Sequence, residues 1–183
     1  MPQNKRLFVA GILPPALMQN LFLIQNHIVA RLSDVELKMV PRDNFHVTLE
    51  FLGPTKPRDE SEIVGAIMSI TSSHKPLRLT LKGISIYLAN LMLEFETTDE
   101  YSSLVQKIRE IINEETSLSL IQRDIPPHIT IARLINDKEI QTNGLNIEIP
   151  TVEIKEIGLY SSTLNNGAPP SYELIHSSRL GEG

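Results

Sequence analysis

The sequence predicts an α+β fold of two similar lobes with antiparallel sheets, and three observations carry that prediction. Strand-like segments follow one another in runs instead of alternating singly with helices, which favours antiparallel pairing over a doubly wound sheet. A short pattern occurs twice, Phe45-His46-Val47-Thr48-Leu49 and Pro127-His128-Ile129-Thr130-Ile131, each copy late in its own half of the chain. No low-complexity segment or long linker divides the halves, so the 183 residues are expected to form one bilobal domain, residues 1–183, around a shared core.

The elements follow in order. Leu7-Phe8-Val9-Ala10 reads as a first strand, ended by Gly11 and by Pro14-Pro15, which suit the first turn of a helix. From Ala16 to Leu32 the apolar residues Leu17, Leu21, Ile24, Ile28 and Leu32 recur at helical spacing. A strand over residues 36–40 leads through Pro41 to the first His motif, which stops at Gly53-Pro54. Residues 57–72 are expected to be helical, with Ile63, Ile67 and Ile70 on one face. Residues 77–88 and 91–97 read as a hairpin turning at Ala89-Asn90. A helix follows with Asp99 as its expected N-cap and Leu104, Ile108, Ile111 and Ile112 as its apolar face. After Asp124-Ile125-Pro126-Pro127 comes the second His motif, then a strand over 152–160, a polar loop over 161–170 and a last strand over 172–175. As a weak internal repeat, Leu7-Phe8-Val9-Ala10 opens the first half and Leu93-Glu94-Phe95-Glu96 the second.

Composition narrows the function. The chain has no Cys, which removes disulfides and thiolate chemistry and fits a reducing cytoplasm, the expected location. Lys5 and Arg6 precede only a five-residue apolar stretch, and no apolar run approaches the roughly 20 residues of a membrane span, so no membrane partner is expected. A net charge of −5 argues against holding a long nucleic-acid duplex, which needs a basic face. Five Phe, four Tyr and no Trp are too few for an extended base-stacking platform. A small or terminal phosphate stays compatible with both facts.

On a strand, a Thr two residues after a His puts hydroxyl and imidazole on one face and the aliphatic residues on the other. Imidazole titrates near pH 6.5, so two facing one substrate supply a neutral base and a protonated acid. In-line transfer at phosphorus needs that equipment, because water must lose a proton while an alkoxide gains one. The hydroxyls of Thr48 and Thr130 can donate to the non-bridging oxygens on which charge builds up.

Both motifs match the double His-hydrophobic-Thr-hydrophobic signature of the 2H phosphoesterase superfamily. The longer contexts, Asn44-Phe45-His46-Val47-Thr48-Leu49-Glu50-Phe51-Leu52-Gly53 and Pro127-His128-Ile129-Thr130-Ile131-Ala132-Arg133, resemble its RNA 2′,3′-cyclic phosphodiesterase branch, also called LigT-like or RNA 2′-5′ ligase-like. Arg6-Leu7-Phe8-Val9-Ala10, Ser162-Thr163-Leu164, Gly167 and Tyr172 fit as well, so the resemblance spans nearly the whole chain. It implies a bilobal fold with antiparallel sheets lining a central cleft and helices outside, no metal or other cofactor, and hydrolysis of a 2′,3′-cyclic phosphate on an RNA end or nucleotide to a 2′-phosphate. By position, His46 and His128 are then the catalytic pair, and Thr48, Thr130 and Arg133 hold the phosphate. Water is then expected to attack in line with the 3′ oxygen; His46 is taken as acid and His128 as base, roles that a pseudo-symmetric site can exchange with the direction of reaction. The same groups support the reverse reaction, 2′-5′ joining of tRNA halves. A non-catalytic nucleotide-binding module is the remaining alternative, although binding alone needs no pair of acid/base groups. A monomer is expected.

Several residues carry open readings. Arg133 lies an odd number of residues from His128 and should face away from it unless a bulge or the strand end turns it back. Phe51, by the same parity, belongs on the core side opposite His46, or stacks on a base at the cleft rim. Tyr172 either reaches the nucleoside or packs the last strand. Glu50 shares a face with His46, yet no third metal ligand has convincing spacing. His27, His74, His176 and the Glu114-Glu115 pair read as surface. Met39 stands where the branch commonly has Trp, which alters packing beside the cleft.

Overall fold

The computed structural model describes residues 4–122, 125–135, 140, 142, 145, 147–149, 151–165 and 168–181. Asp124, at the head of the segment before the second His motif, and Gly167, part of the family resemblance, lie outside them. The strands are β1 (Lys5–Gly11), β2 (Leu37–Met39), β3 (Val47–Thr55), β4 (Leu77–Leu79), β5 (Leu81–Tyr87), β6 (Asn90–Phe95), β7 (His128–Leu134), β8 (Val152–Ile154), β9 (Glu156–Thr163) and β10 (Ser171–Arg179). The helices are α1 (Pro15–Arg31), α2 (Glu60–Ser73) and α3 (Asp99–Glu115), with short 3-10 turns at Arg42–Asn44 and Pro57–Asp59.

Every described strand pairing is antiparallel. One sheet runs β10-β9-β1-β3 and the other β2-β7-β6-β5, with β4 and β8 forming a small third ribbon. The His46 strand β3 pairs with β1, and the His128 strand β7 pairs with β6. The repeat opened by Leu7 and by Leu93 is therefore real at the level of topology: β1 leads to α1 as β6 leads to α3. A single apolar core joins the lobes, from Leu7 and Val9 of β1 through Ile63 and Ile67 of α2 to Leu93, Ile129 and Ile131.

The helices form where the apolar spacing demands. In α3 the buried residues are Tyr101, Leu104, Ile108 and Ile112, one stripe at i, i+3, i+4 intervals. The cap is Thr98 and not Asp99: the Thr98 hydroxyl accepts from the Tyr101 amide at 3.2 Å, and Asp99 sits in the first turn, where its charge opposes the helix dipole favourably.

Other boundaries also differ from expectation. Residues 57–59 form a 3-10 turn before α2, residues 77–88 split into β4 and β5, and β9 and β10 extend to Thr163 and Arg179. The β5–β6 hairpin turns at Leu88 and Ala89, with φ of 46° and 61°, not at Ala89-Asn90. Left-handed backbone costs a residue with a Cβ about 1–2 kcal/mol. The turn is held in place by the Asn90 amide, donating to the Tyr87 and Leu88 carbonyls at 3.2 and 3.3 Å, and by the Leu134 N–H donating to the Ala89 carbonyl at 2.8 Å.

Candidate active site

His46 directly precedes β3 and His128 opens β7, and each is held by the same local device. His46 Nδ1 lies 2.8 Å from the Asn44 carbonyl and His128 Nδ1 lies 2.9 Å from the Pro126 carbonyl. A carbonyl only accepts, so each Nδ1 carries the hydrogen and each Nε2 keeps a lone pair for the cleft. The cleft between the two sheets has a volume of 250 Å³ and is lined by His46, Thr48, His128 and Thr130 together. The sequence-predicted quartet thus converges on one space.

Surroundings separate the two imidazoles. His46 packs against Phe8, with ring centroids 5.0 Å apart, and meets the edge of Tyr172 at 5.3 Å. This desolvation lowers its pKa from 6.5 to about 4; the Asn44 carbonyl, which favours the protonated ring, opposes the shift, and the charge of His128 adds to it. Across the strand from His128 stands Glu94, held below the usual carboxylate range chiefly by the Lys82 ammonium at 2.7 Å. Burial likewise raises the Tyr172 phenol, against the opposing charge of Arg133.

Two bulges decide what else enters the cleft. In β7, Met92 pairs with Thr130 and Leu91 with Ala132, leaving Ile131 unmatched. Both Ile131 and Ala132 are buried, and the extra residue returns Arg133 to the His128 face, where it lines the cleft. In β3, Ala10 pairs with Thr48 and Val9 with Glu50, leaving Leu49 unmatched. That shift overturns two parity expectations. Phe51 leaves the core side, lines the cleft and is 45% exposed. Glu50 turns inward instead, to a buried ion pair with Arg109 of α3 at 2.7 Å, so it is not on the His46 side as a metal ligand. A second shift at Leu52 ends at Gly53, whose φ of 71° suits glycine.

Each bulge is stapled by a helix. From α1, the fully buried Gln25 donates through Nε2 to the Ile131 carbonyl at 2.6 Å and to the Val40 carbonyl at 2.8 Å. From α3, Arg109 grips Glu50 through two nitrogens at 2.7 and 2.9 Å; leaving either charge unpaired there costs about 3–5 kcal/mol. Sequence reasoning missed both residues. The available signal was a Gln on the apolar stripe of α1, between Leu21 and Ile28. It also missed Phe8, and the Tyr87-Leu88 tip of the β5–β6 hairpin, which lines the opposite wall.

Tyr172 does reach the cleft. Met39 is half-buried in a hollow beside Arg133 and Tyr172. His27 is exposed, Glu114 and Glu115 are exposed, and His74 turns its Nδ1 to the Lys75 carbonyl. His176 is half-buried, and its Nε2 is buried with no hydrogen-bond partner among the described residues, so it is not a plain surface histidine. Among the described residues no three His, Asp or Glu side chains converge as a metal-binding group.

The family profile described as LigT like Phosphoesterase matches residues 12–91, which include the first motif. Over that part of its length the chain resembles the LigT-like phosphoesterases. It is 28% identical over 179 residues to the RNA 2′,3′-cyclic phosphodiesterase of Methanocaldococcus jannaschii, an alignment covering 93% of this chain and 98% of that protein. It is 24% identical over 172 residues to the RNA 2′,3′-cyclic phosphodiesterase of Aquifex aeolicus, covering 85% and 91%. Among solved structures, TT0787 of Thermus thermophilus superposes with a TM-score of 0.78 at 20% identity, covering 97% of this chain and all of that one. The Escherichia coli LigT complex with 3′-AMP superposes with a TM-score of 0.73 at 22% identity, covering 97% and 98%. The expected α+β fold is thus the fold these structures share with this chain. No helix of the described residues is long and apolar enough to cross a membrane.

Proposed function

We propose that this protein hydrolyses the 2′,3′-cyclic phosphate of an RNA end or nucleotide to a 2′-phosphate with a free 3′-hydroxyl. The observation that carries this reading is the matched pair of imidazoles, each with Nδ1–H tied to the carbonyl two residues upstream and Nε2 left for one shared cleft. The names of the Methanocaldococcus and Aquifex relatives support the same substrate class.

In this mechanism the phosphate sits between the two strands. Thr48, Thr130 and Arg133 donate to its non-bridging oxygens, where the transition state gathers charge. His128 Nε2 takes a proton from water as the water oxygen bonds to phosphorus. The bond from phosphorus to the 3′ oxygen breaks, and His46 gives that oxygen its proton. In the free protein burial keeps His46 neutral at pH 7, so this ring takes up its proton with the substrate, whose phosphate anion favours the charged imidazole. Proton transfer by two positioned imidazoles needs no metal ion.

Phosphorus NMR of the protein with adenosine 2′,3′-cyclic phosphate, in the presence of EDTA, tests the reading. The expected outcome is conversion to the 2′-phosphate. Predominant 3′-phosphate, or activity lost with EDTA and restored by a divalent cation, rejects it.

A further inference from the structure

Beyond Phe51 and Tyr172 lies a second groove of 480 Å³, bounded by β1, β3, β9 and residues 119–121. Phe51 and Tyr172 line both this groove and the catalytic cleft, so the two adjoin. Arg6 stands in this groove. It lies two residues from Phe8 on β1, hence on the same face and about 6.6 Å further along the strand, and Phe8 itself touches His46. Across the sheet Arg6 is paired in register with Ser162 and Pro54.

The electrostatics of the groove are one-sided. Arg6 is exposed and makes no ion pair among the described residues, while the adjacent Lys5 is tied to Glu60 at 3.1 Å. Glu50, the carboxylate among the lining residues, is committed to Arg109. The walls offer the hydroxyls of Ser119 and Ser162 and the apolar faces of Phe51 and Ile121, the latter 68% exposed. A guanidinium with no ion pair among the described residues, two hydroxyls and apolar walls, one same-face strand step beyond the Phe8 that packs on His46, fit a phosphodiester followed by a base.

We infer that this groove holds the nucleotide preceding the cyclic phosphate, with Arg6 on the phosphodiester that joins it to the terminal nucleoside. The inference rests on the function proposed above and deepens it: the preferred substrate is an RNA end, not a free cyclic mononucleotide.

The test compares kcat/KM for adenosine 2′,3′-cyclic phosphate with that for the adenylyl-adenosine dinucleotide bearing the same cyclic end. The wild type is expected to favour the dinucleotide by about tenfold or more, the span of a charge-assisted hydrogen bond. Arg6→Gln removes that preference and leaves the mononucleotide within about twofold, and Arg6→Lys restores part of it. An uncharged methylphosphonate link in the dinucleotide abolishes the difference between wild type and Arg6→Gln. Equal losses on both substrates, or no loss on either, overturn the inference. Wild-type inactivity on both substrates instead rejects the underlying function.

Discussion

Strands β3 and β7 use one backbone plan for opposite ends. Each presents His, then Thr two residues on, then an unmatched residue, so that the fifth residue after the His returns to the cleft. In β7 that residue is Arg133 and in β3 it is Phe51. The lobes therefore share the tools for proton transfer and differ in what they grip, an anion on one side and a flat apolar surface on the other. Their histidines differ in the same sense, since His46 is enclosed by Phe8 and Tyr172 while His128 stands across from Glu94. Backbone symmetry sets where groups sit, and neighbours set what they do.

The comparison breaks most severely at its shared element. His46→Ala and His128→Ala are each expected to lower kcat by roughly 10² to 10⁴, the usual span for a positioned acid or base, in steady-state assays at neutral pH. Near wild-type turnover in either variant ends the idea of equal partners.

The fifth residues should separate KM from kcat. Arg133→Met loses a charge-assisted hydrogen bond to phosphate, and a fall of roughly 10- to 100-fold in kcat/KM is expected, including with a substrate that lacks a base. Phe51→Ala is expected to raise KM several-fold or more for nucleoside substrates with little change in kcat, as lost base stacking would. Identical kinetic signatures for the two variants would refute the division of labour.

The finest test concerns the enclosed imidazole. With the His46 pKa lowered to about 4, the alkaline limb of kcat/KM, which reports loss of the proton from the acid in the free protein, should begin near pH 4, and Tyr172→Ala, by admitting water, should move it up towards 6.5. The same shift couples to stability. Between pH 6.5 and 4 the unfolded chain binds a proton at this ring that the folded protein does not, so folding stability falls as pH drops through that window. Thermal melts of His46→Asn should show a shallower decline there than the wild type.

The quartet of His46, Thr48, His128 and Thr130 was legible because a two-residue period survives as far as each Thr. Beyond it the period fails, since one unmatched residue reverses every later face. That is why Phe51 and Glu50 were read on the wrong sides, and why Arg133 was left conditional on a bulge. Nothing in the motif marks the staples, because Gln25 and Arg109 act from helices far away in sequence. The turn at Leu88 and Ala89 escaped for a related reason: neither residue favours left-handed backbone, and only the bonds from Asn90 and Leu134 hold it there. Helix extents were easier, because apolar stripes are set by the chain itself.

The register of β1 also governs how the protein is made. Arg6 pairs with Ser162, Leu37 with Leu134 and Leu77 with Ile154, whereas β5–β6 closes locally at Tyr87 and Asn90. During synthesis the hairpin can form early, but one edge of β1 stays bare until β9 emerges, and contacts so distant in sequence form slowly. Tyr172 arrives later still, on β10. A nascent chain carrying both His motifs thus leaves the Tyr172 side of His46 in water, and the acid/base pair acquires its full inequality only as the C-terminal hairpin docks.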